Sequence, residues 1–321
     1  MGIKIIKPGM FTTIQDQGRN GYRSYGIGPS GAMDFFAASI ANILAGNKEN
    51  CPVLEMHFPA PELLFEQDSI VSITGADFNA YIDDVNADVW KPIFVKKGQQ
   101  LCFKKYSNGA RAYLSIHGGM KADKWLNSYS THTSLQVGGF SGRPLKKEDI
   151  IQLNSNLSVP NVAGFTGVAA LALPVYEQKN NIRCIAGPEW SWMDDISKTK
   201  FLEEIFSITP QSNRMGYRLQ GADLLMEDAH ELVSSPVDAG TLQLLPNGQL
   251  IVLMADHQTT GGYPRVAGVI GADLPKLAQQ PIHGKLQFEL VSVETAEEAI
   301  ASLYHTIQFI KQSCKHLYEA G

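Results

Sequence analysis

The sequence predicts a mainly β chain of barrel or sandwich type. Three observations predict it. Short apolar runs recur along the chain, turn residues separate them at regular spacing, and 29 Gly with 16 Pro favour many tight turns. A chain of 321 residues is long enough for about two domains with substantial cores.

In the first half, strands are expected at residues 54–58, 63–65, 70–74, 80–82, 93–95, 101–104 and 112–116. Between them stand Pro59-Ala-Pro61, Gly75, Asp83-Asp84, Lys97-Gly98 and Asn108-Gly109. Gly and Asn supply positive φ there, and Pro interrupts ladder pairing. The second half carries a hairpin signal, with strands at 242–245 and 250–254 joined through Pro246-Asn247-Gly248. Three helices are expected. Residues 33–44 place Phe36, Ile40, Ile43 and Leu44 at helical spacing and stop at Gly46. Residues 199–206 fit a short helix. A third begins at Thr295, where Thr295 and Glu298 form a capping box ahead of the stripe Ala299, Ile300, Leu303, Ile307 and Ile310. A turn-rich stretch near 160–180 predicts a boundary between modules at 1–165 and 180–321. A faint echo between residues 63–66 and 224–227 accompanies it.

Charge and composition remove several function classes. Lys plus Arg number 27 against 32 Asp plus Glu, a net charge of −5 without a basic run, which makes nucleic acid a poor partner. No run approaches the roughly 20 apolar residues of a membrane span. No secretory pattern opens the chain, and Ile6 stands where an N-myristoylation site needs Ser or Thr. Four separated cysteines read as reduced thiols, so the cytoplasm is the expected location. The phosphate-binding, dinucleotide, zinc-protease and serine-hydrolase signatures are absent, and the eight histidines show no metal-ligand spacing.

Three polar clusters remain. The first runs from Thr12 through Asp16, Gly18, Arg19 and Tyr22 to Ser30 and Asp34, just before the first helix. A helix N-terminus offers free N–H donors to a carboxylate or phosphate. Asp16 and Arg19 have the alternative of pairing with each other, and Ser30 or Asp34 that of capping the helix. The second is Gln211-Ser-Asn-Arg214-Met-Gly-Tyr-Arg218, whose two arginines suit an anionic substrate. The third follows an apolar strand: Asp256, His257, Gln258, Thr259, Thr260, Gly261, Gly262, Tyr263, Pro264 and Arg265. Its backbone N–H groups are candidates for an anion-binding nest.

At these clusters the sequence resembles the KipA-like family, whose members are also known as allophanate hydrolase subunit 2 or as the C subunit of 5-oxoprolinase. The matching stretches are Thr-Thr-Ile-Gln-Asp-x-Gly-Arg-x-Gly-Tyr, Ser-Gly-Ala-Met-Asp, Ser-Asn-Arg-Met-Gly-Tyr-Arg-Leu-x-Gly and Gln-Thr-Thr-Gly-Gly-Tyr-Pro-Arg. The resemblance implies two cyclophilin-like β-barrel modules. It also implies that the A and B subunits of such a complex, the latter KipI-like, are partners. ATP is then the co-substrate for hydrolysis of 5-oxo-L-proline to L-glutamate. Other roles in the family are a KipA-type regulator of a KipI-like kinase inhibitor and the carboxyltransferase component of a urea or amide carboxylase. Lys121 lacks the flanking residues of a biotin-attachment site, so no covalent biotin is expected on this chain. On this resemblance Asp256, Arg214 and Asp16 are the candidate catalytic groups: the aspartates as bases, the arginine as an anion holder. Arg19, Tyr22, Ser30, Gln258, Thr259, Thr260, Gly261, Gly262 and Tyr263 are the candidate substrate contacts. The chain departs from the family at Asn127-Ser-Tyr-Ser-Thr-His132, where relatives often carry Gly-Ser-x-Ser-Thr-Asp.

Overall fold

A computed structural model describes residues 2–154, 167–168, 181–227, 232–315 and 318. The described residues form two compact units. One comprises Met1–Arg19, Asp34–Tyr176 and His305–Gly321, the other Asn20–Met33 and Glu177–Tyr304. Most of the expected boundary near 160–180 lies outside the described residues. The contiguous division at 1–165 and 180–321 needs correction in two segments. Residues 20–33 belong to the second unit, because Arg23 bonds Asp238 and the Val237 carbonyl, and Met33 is buried in that unit's core. Residues 305–321 belong to the first, where Lys311 pairs with Glu49 at 2.9 Å and the Tyr318 hydroxyl donates to the Leu44 carbonyl at 2.5 Å.

The strands of the first unit are β1 (Gly2–Lys7), β2 (Thr12–Gln15), β3 (Val53–Met56), β4 (Glu62–Phe65), β5 (Ser69–Asp77), β6 (Ala80–Ile82), β7 (Val85–Asn86), β8 (Pro92–Val95), β9 (Gln100–Phe103), β10 (Asn108–Ile116) and β11 (Ile150–Gln152). They make a six-stranded sheet, β11-β1-β4-β9-β6-β7, and a five-stranded sheet, β2-β3-β10-β5-β8. The module expected here as a barrel is therefore two sheets over one core. Ile3, Ile5, Leu63 and Phe65 enter that core from the first sheet, and Leu54, Val71, Ile73 and Leu114 from the second. Strand alternation then turns Ser72 and Thr74 to the opposite face, where they donate to the Ala41 and Ala37 carbonyls of α1 (Phe35–Leu44). Helix α1 is buried on nearly every side, and its alanines allow close approach to the sheet.

Asp34 caps α1, accepting from the Ala37 N–H at 2.8 Å. At the other end the Gly46 N–H donates to Ile43 and the Asn47 N–H to Asn42, at 3.0 and 2.8 Å. This is a Schellman closure, with Gly46 in the left-handed region at φ 71°.

The second unit is a closed seven-stranded barrel. Its strands are β12 (Asn181–Ala186), β13 (Phe206–Ile208), β14 (Gly216–Gln220), β16 (Thr241–Leu244), β17 (Leu250–Leu253), β19 (Arg265–Val269) and β20 (Lys285–Leu290). The short pair β15 (Ser235–Pro236) and β18 (Thr260–Gly261) stands apart from it. Closure is through the parallel pairing of β12 with β20, in register from Asn181↔Gln287 to Cys184↔Leu290. Phe201 and Phe288 stack at 4.9 Å inside its core. The Asn-Gly hairpin forms as expected, with Leu244 opposite Leu250. The short helix is α2 (Asp195–Glu203): Asp194 caps it earlier than apolar spacing indicated, and Phe206 is taken into β13. Helix α3 (Leu274–Ala278) follows β19.

Helix α4 (Val293–Cys314) also starts ahead of its expected capping box. Ser292 accepts from the Thr295 N–H at 3.2 Å and is the cap. Ile307 and Ile310 of the predicted stripe are buried. The echo between 63–66 and 224–227 has no shared structure, since the first lies largely in β4 and the second in no strand. Among the described residues, no helix is long and apolar enough to cross a membrane.

Gly46→Ala is expected to lower stability by at least ~1 kcal/mol from the left-handed backbone alone. A Cβ there also meets the Tyr318 ring at 2.6 Å, which adds to the loss. A urea midpoint equal to that of the parent chain would contradict this account.

Candidate functional site

The second and third polar clusters meet in the second unit. The turn before β14 begins with Asn213, whose Oδ1 accepts from the Met215 N–H at 2.7 Å, an Asx turn. That turn sends Arg214 inward. Its Nε donates to Asp256 Oδ2 at 2.9 Å, and its Nη2 to Asp256 Oδ1 at 3.1 Å and to the Gly31 carbonyl at 2.6 Å. The Ser30 hydroxyl donates to Asp256 Oδ1 at 2.5 Å. Ser30, Arg214 and Asp256 are all buried, at 8%, 7% and 8% exposure. The sequence-predicted Arg214, Asp256 and Ser30 are thus brought together, but as a clamp. Both carboxylate oxygens of Asp256 already accept hydrogen bonds, and neither Arg214 nor Asp256 lines the neighbouring cleft. This geometry suits holding loops in place better than taking a proton from substrate.

Beside the clamp is a cleft of about 270 Å³, lined by Gln211, Asn213, Met215, Gly216, Arg218, Gln243, Ile251, Leu253, Gln258 and Tyr263. Its floor follows from strand alternation. In β14, Tyr217 and Leu219 are buried, which leaves Gly216 and Arg218 on the outer face. Arg218 pairs with Ile251 of β17, and Ile251 pairs with Gln243 of β16. The three side chains form one cross-strand row. Gln258 and Tyr263, both named from sequence, line the cleft above it.

The expected backbone nest does not form. None of residues 256–262 has positive φ, which a nest of alternating right- and left-handed residues requires. Thr260 and Gly261 instead pair with Pro236 and Ser235, and the Thr259 carbonyl accepts from the Val237 N–H at 3.1 Å. Tyr22 sits half-buried at the start of a short 3₁₀ turn and does not line the cleft.

His257 is buried beside the clamp. Its Nδ1 lies 2.6 Å from the Gln258 carbonyl oxygen, and its Nε2 has no hydrogen-bond partner among the described residues. Burial holds the imidazole below its ordinary value of 6.5.

Asp16 and Arg19 lie in the first unit, in a polar loop of their own. Asp16 accepts from the Ser128 hydroxyl at 2.6 Å, the Ser130 hydroxyl at 2.5 Å, the Tyr129 N–H at 2.6 Å and the Gly18 N–H at 2.8 Å. Arg19 donates to the Ser130 carbonyl and lies over the Trp125 ring, 5.0 Å from its centroid. The two residues meet through Ser130. Sequence reasoning missed Ser128 and Ser130 in this role, although the Ser-x-Ser spacing puts both hydroxyls on one side of an extended loop. It also passed over Arg218 for Arg214. The alternation Gly216, Tyr217, Arg218, Leu219 is the signal that selects Arg218 for the outer face.

A family model for the carboxyltransferase domain, subdomains A and B, matches residues 25–290. The chain belongs to the carboxyltransferase-domain family. Within it, the chain is 41% identical to the C subunit of 5-oxoprolinase from Escherichia coli (strain K12) over 299 residues, covering 92% of this chain and 94% of that one. It is 37% identical to the C subunit of 5-oxoprolinase from Haemophilus influenzae over 291 residues, covering 88% and 89%. The crystal structure of the Kluyveromyces lactis urea amidolyase superposes with a TM-score of 0.90 at 27% identity. That match covers 96% of this chain but only 20% of the urea amidolyase.

Removing either partner of the buried clamp leaves an uncompensated charge. Arg214→Ala and Asp256→Ala are each expected to lower the unfolding free energy by about 3–5 kcal/mol. The paired change Arg214→Met with Asp256→Leu is expected to lose less than the sum, and additive losses in urea melts would show that the two side chains act independently. His257 supplies a pH test. Below pH 6.5 the unfolded chain takes up a proton there before the folded chain does, so stability falls as pH drops from 6.5 towards the lowered value. His257→Gln is expected to narrow the difference between urea midpoints at about pH 7.5 and about pH 5.5. An unchanged difference would place the proton uptake elsewhere.

Proposed function

We propose that this chain is the C subunit of a 5-oxoprolinase, a hydrolase that opens 5-oxo-L-proline to L-glutamate with ATP as co-substrate of the complex. The observation that carries this reading is the near end-to-end match at 41% identity to a protein of that name. The chain works with the A and B subunits of the complex, the latter KipI-like, in the cytoplasm. The closed barrel of the second unit supports the cyclophilin-like reading of that module.

The cleft fits the chemistry. A five-membered lactam is small, and the cleft lies just below the roughly 300 Å³ at which pockets for drug-sized ligands begin. The amide carbonyl is a poor electrophile, so hydrolysis near neutral pH needs activation, which ATP supplies in the assembled enzyme. This chain's share is to hold and orient the ring. The side-chain amides of Gln243 and Gln258 can donate to the lactam oxygen, and Ile251 and Leu253 give the ring methylenes an apolar floor. Arg214 and Asp256 act as positioning residues for the two loops that carry the cleft walls. Asp16 and Arg19 organise a loop of the first unit.

The urea amidolyase superposition favours a second reading, a carboxyltransferase component of a urea or amide carboxylase. That reading needs a biotinylated chain in the same assembly. A KipA-type regulator would need only a partner surface and no turnover.

Co-expression with neighbouring genes separates these readings. The expected outcome is glutamate release from 5-oxoproline that requires ATP and stops when this chain is omitted. A stable assembly without turnover on 5-oxoproline would overturn the hydrolase reading.

A further inference from the structure

The geometry points to Arg218 as the anchor for the carboxylate of an acidic lactam, and so as the residue that separates such ligands from neutral amides. This rests on the hydrolase reading for the identity of the ligand and on the cleft alone for its charge.

Arg218 differs from the other arginines of its unit. Arg23, Arg183, Arg214 and Arg265 each pair with an acid: Asp238, Asp273, Asp256 and Glu189 respectively. The guanidinium of Arg218 has no ion pair among the described residues. Its backbone is nonetheless fixed. Its N–H donates to the Ser212 hydroxyl at 3.0 Å, and its carbonyl accepts from the Thr209 N–H at 2.9 Å. The strand therefore sets where the side chain starts, while its planar fork of donors is left for a ligand.

The surroundings select for an anion. Among the described residues lining the cleft, none is Asp or Glu, and Arg218 is the one charged side chain. In a chain of net charge −5, such a cleft is a local positive site. The cross-strand row Arg218, Ile251, Gln243 sets two polar groups on either side of an apolar one. Strands lie about 4.8 Å apart, so Arg218 and Gln243 start roughly 10 Å apart across the row. A ring carrying a carboxylate on one side and an amide carbonyl on the other matches that order: acid to Arg218, ring over Ile251, carbonyl towards Gln243. Urea and neutral lactams offer Arg218 no carboxylate, only a weaker neutral carbonyl acceptor.

The test compares 5-oxoproline with 2-pyrrolidinone, the same ring without the carboxylate. Binding of each is measured by calorimetry on the full chain, alone and in its assembly, for the parent and for Arg218→Ala and Arg218→Lys. KM and kcat are measured on the assembled enzyme. Arg218→Ala is expected to weaken 5-oxoproline binding about 10- to 100-fold and to raise its KM alike, since a charged hydrogen bond contributes on that scale. Binding of 2-pyrrolidinone should change by less than about twofold, and Arg218→Lys should recover part of the loss. Equal loss for both ligands, an unchanged KM for 5-oxoproline, or no binding of 5-oxoproline by the parent chain in either form would overturn the assignment. Arg218-dependent binding without turnover would sink the hydrolase reading and leave the anchor standing. Turnover with an unchanged KM in Arg218→Ala would do the reverse.

Discussion

The second unit depends on one buried ion pair, Arg214 with Asp256. Taking two charges out of water is unfavourable unless each finds its partner and the remaining donors and acceptors are met. Here the Gly31 carbonyl accepts from Arg214 and the Ser30 hydroxyl donates to Asp256. Such a pair adds little net stability over apolar packing, but it tolerates few alternative arrangements. It fixes three stretches of chain at once: the loop at Ser30, the turn at Arg214 and the bend at Asp256. The cleft walls are continuations of the last two. Asn213 and Met215 flank Arg214, and Gln258 follows Asp256 by two residues. The width of the cleft is therefore set by a contact that lies outside it.

Much of the fold was legible because its strands are short and well punctuated. Residues 80–82 form β6 as read, and Pro59-Ala-Pro61, Asp83-Asp84 and Lys97-Gly98 fall between strands, whereas Gly75 lies within β5 and Asn108-Gly109 open β10, because strand pairing there runs through the expected turns. Helix starts were less legible, because Ser292 and Thr295 both satisfy the local capping rule and only the backbone decides between them. The contiguous boundary failed at residues 20–33 for a different reason. Their partners, Asp238 and Asp256, are remote in sequence, and no local pattern announces them. The candidate site was legible as a set of loops but not as a division of labour. Arg214 and Arg218 share one short segment, but the turn at Asn213 sends the first inward while alternation within β14 leaves the second on the cleft face.

The two aspartates named as bases share a fate that physical chemistry explains. An aspartate within a Gly-rich turn is equally suited to chemistry and to gathering loose donors. Asp16 gathers two serine hydroxyls and two backbone N–H groups, and Asp256 gathers a guanidinium and a hydroxyl. The donors to Asp16 come chiefly from one short segment, Ser128 to Ser130.

The interleaving of the chain bears on how it is made. Ser30 and Asp256 are separated by 226 positions. On the ribosome, the stretch around Ser30 emerges early and waits for most of the polypeptide before its acceptor exists. Contacts of such long span slow assembly, because the entropy of closing a large loop must be met before any reward arrives. A nascent chain halted in its middle would present that stretch without its acceptor, because Asp256 has yet to be made.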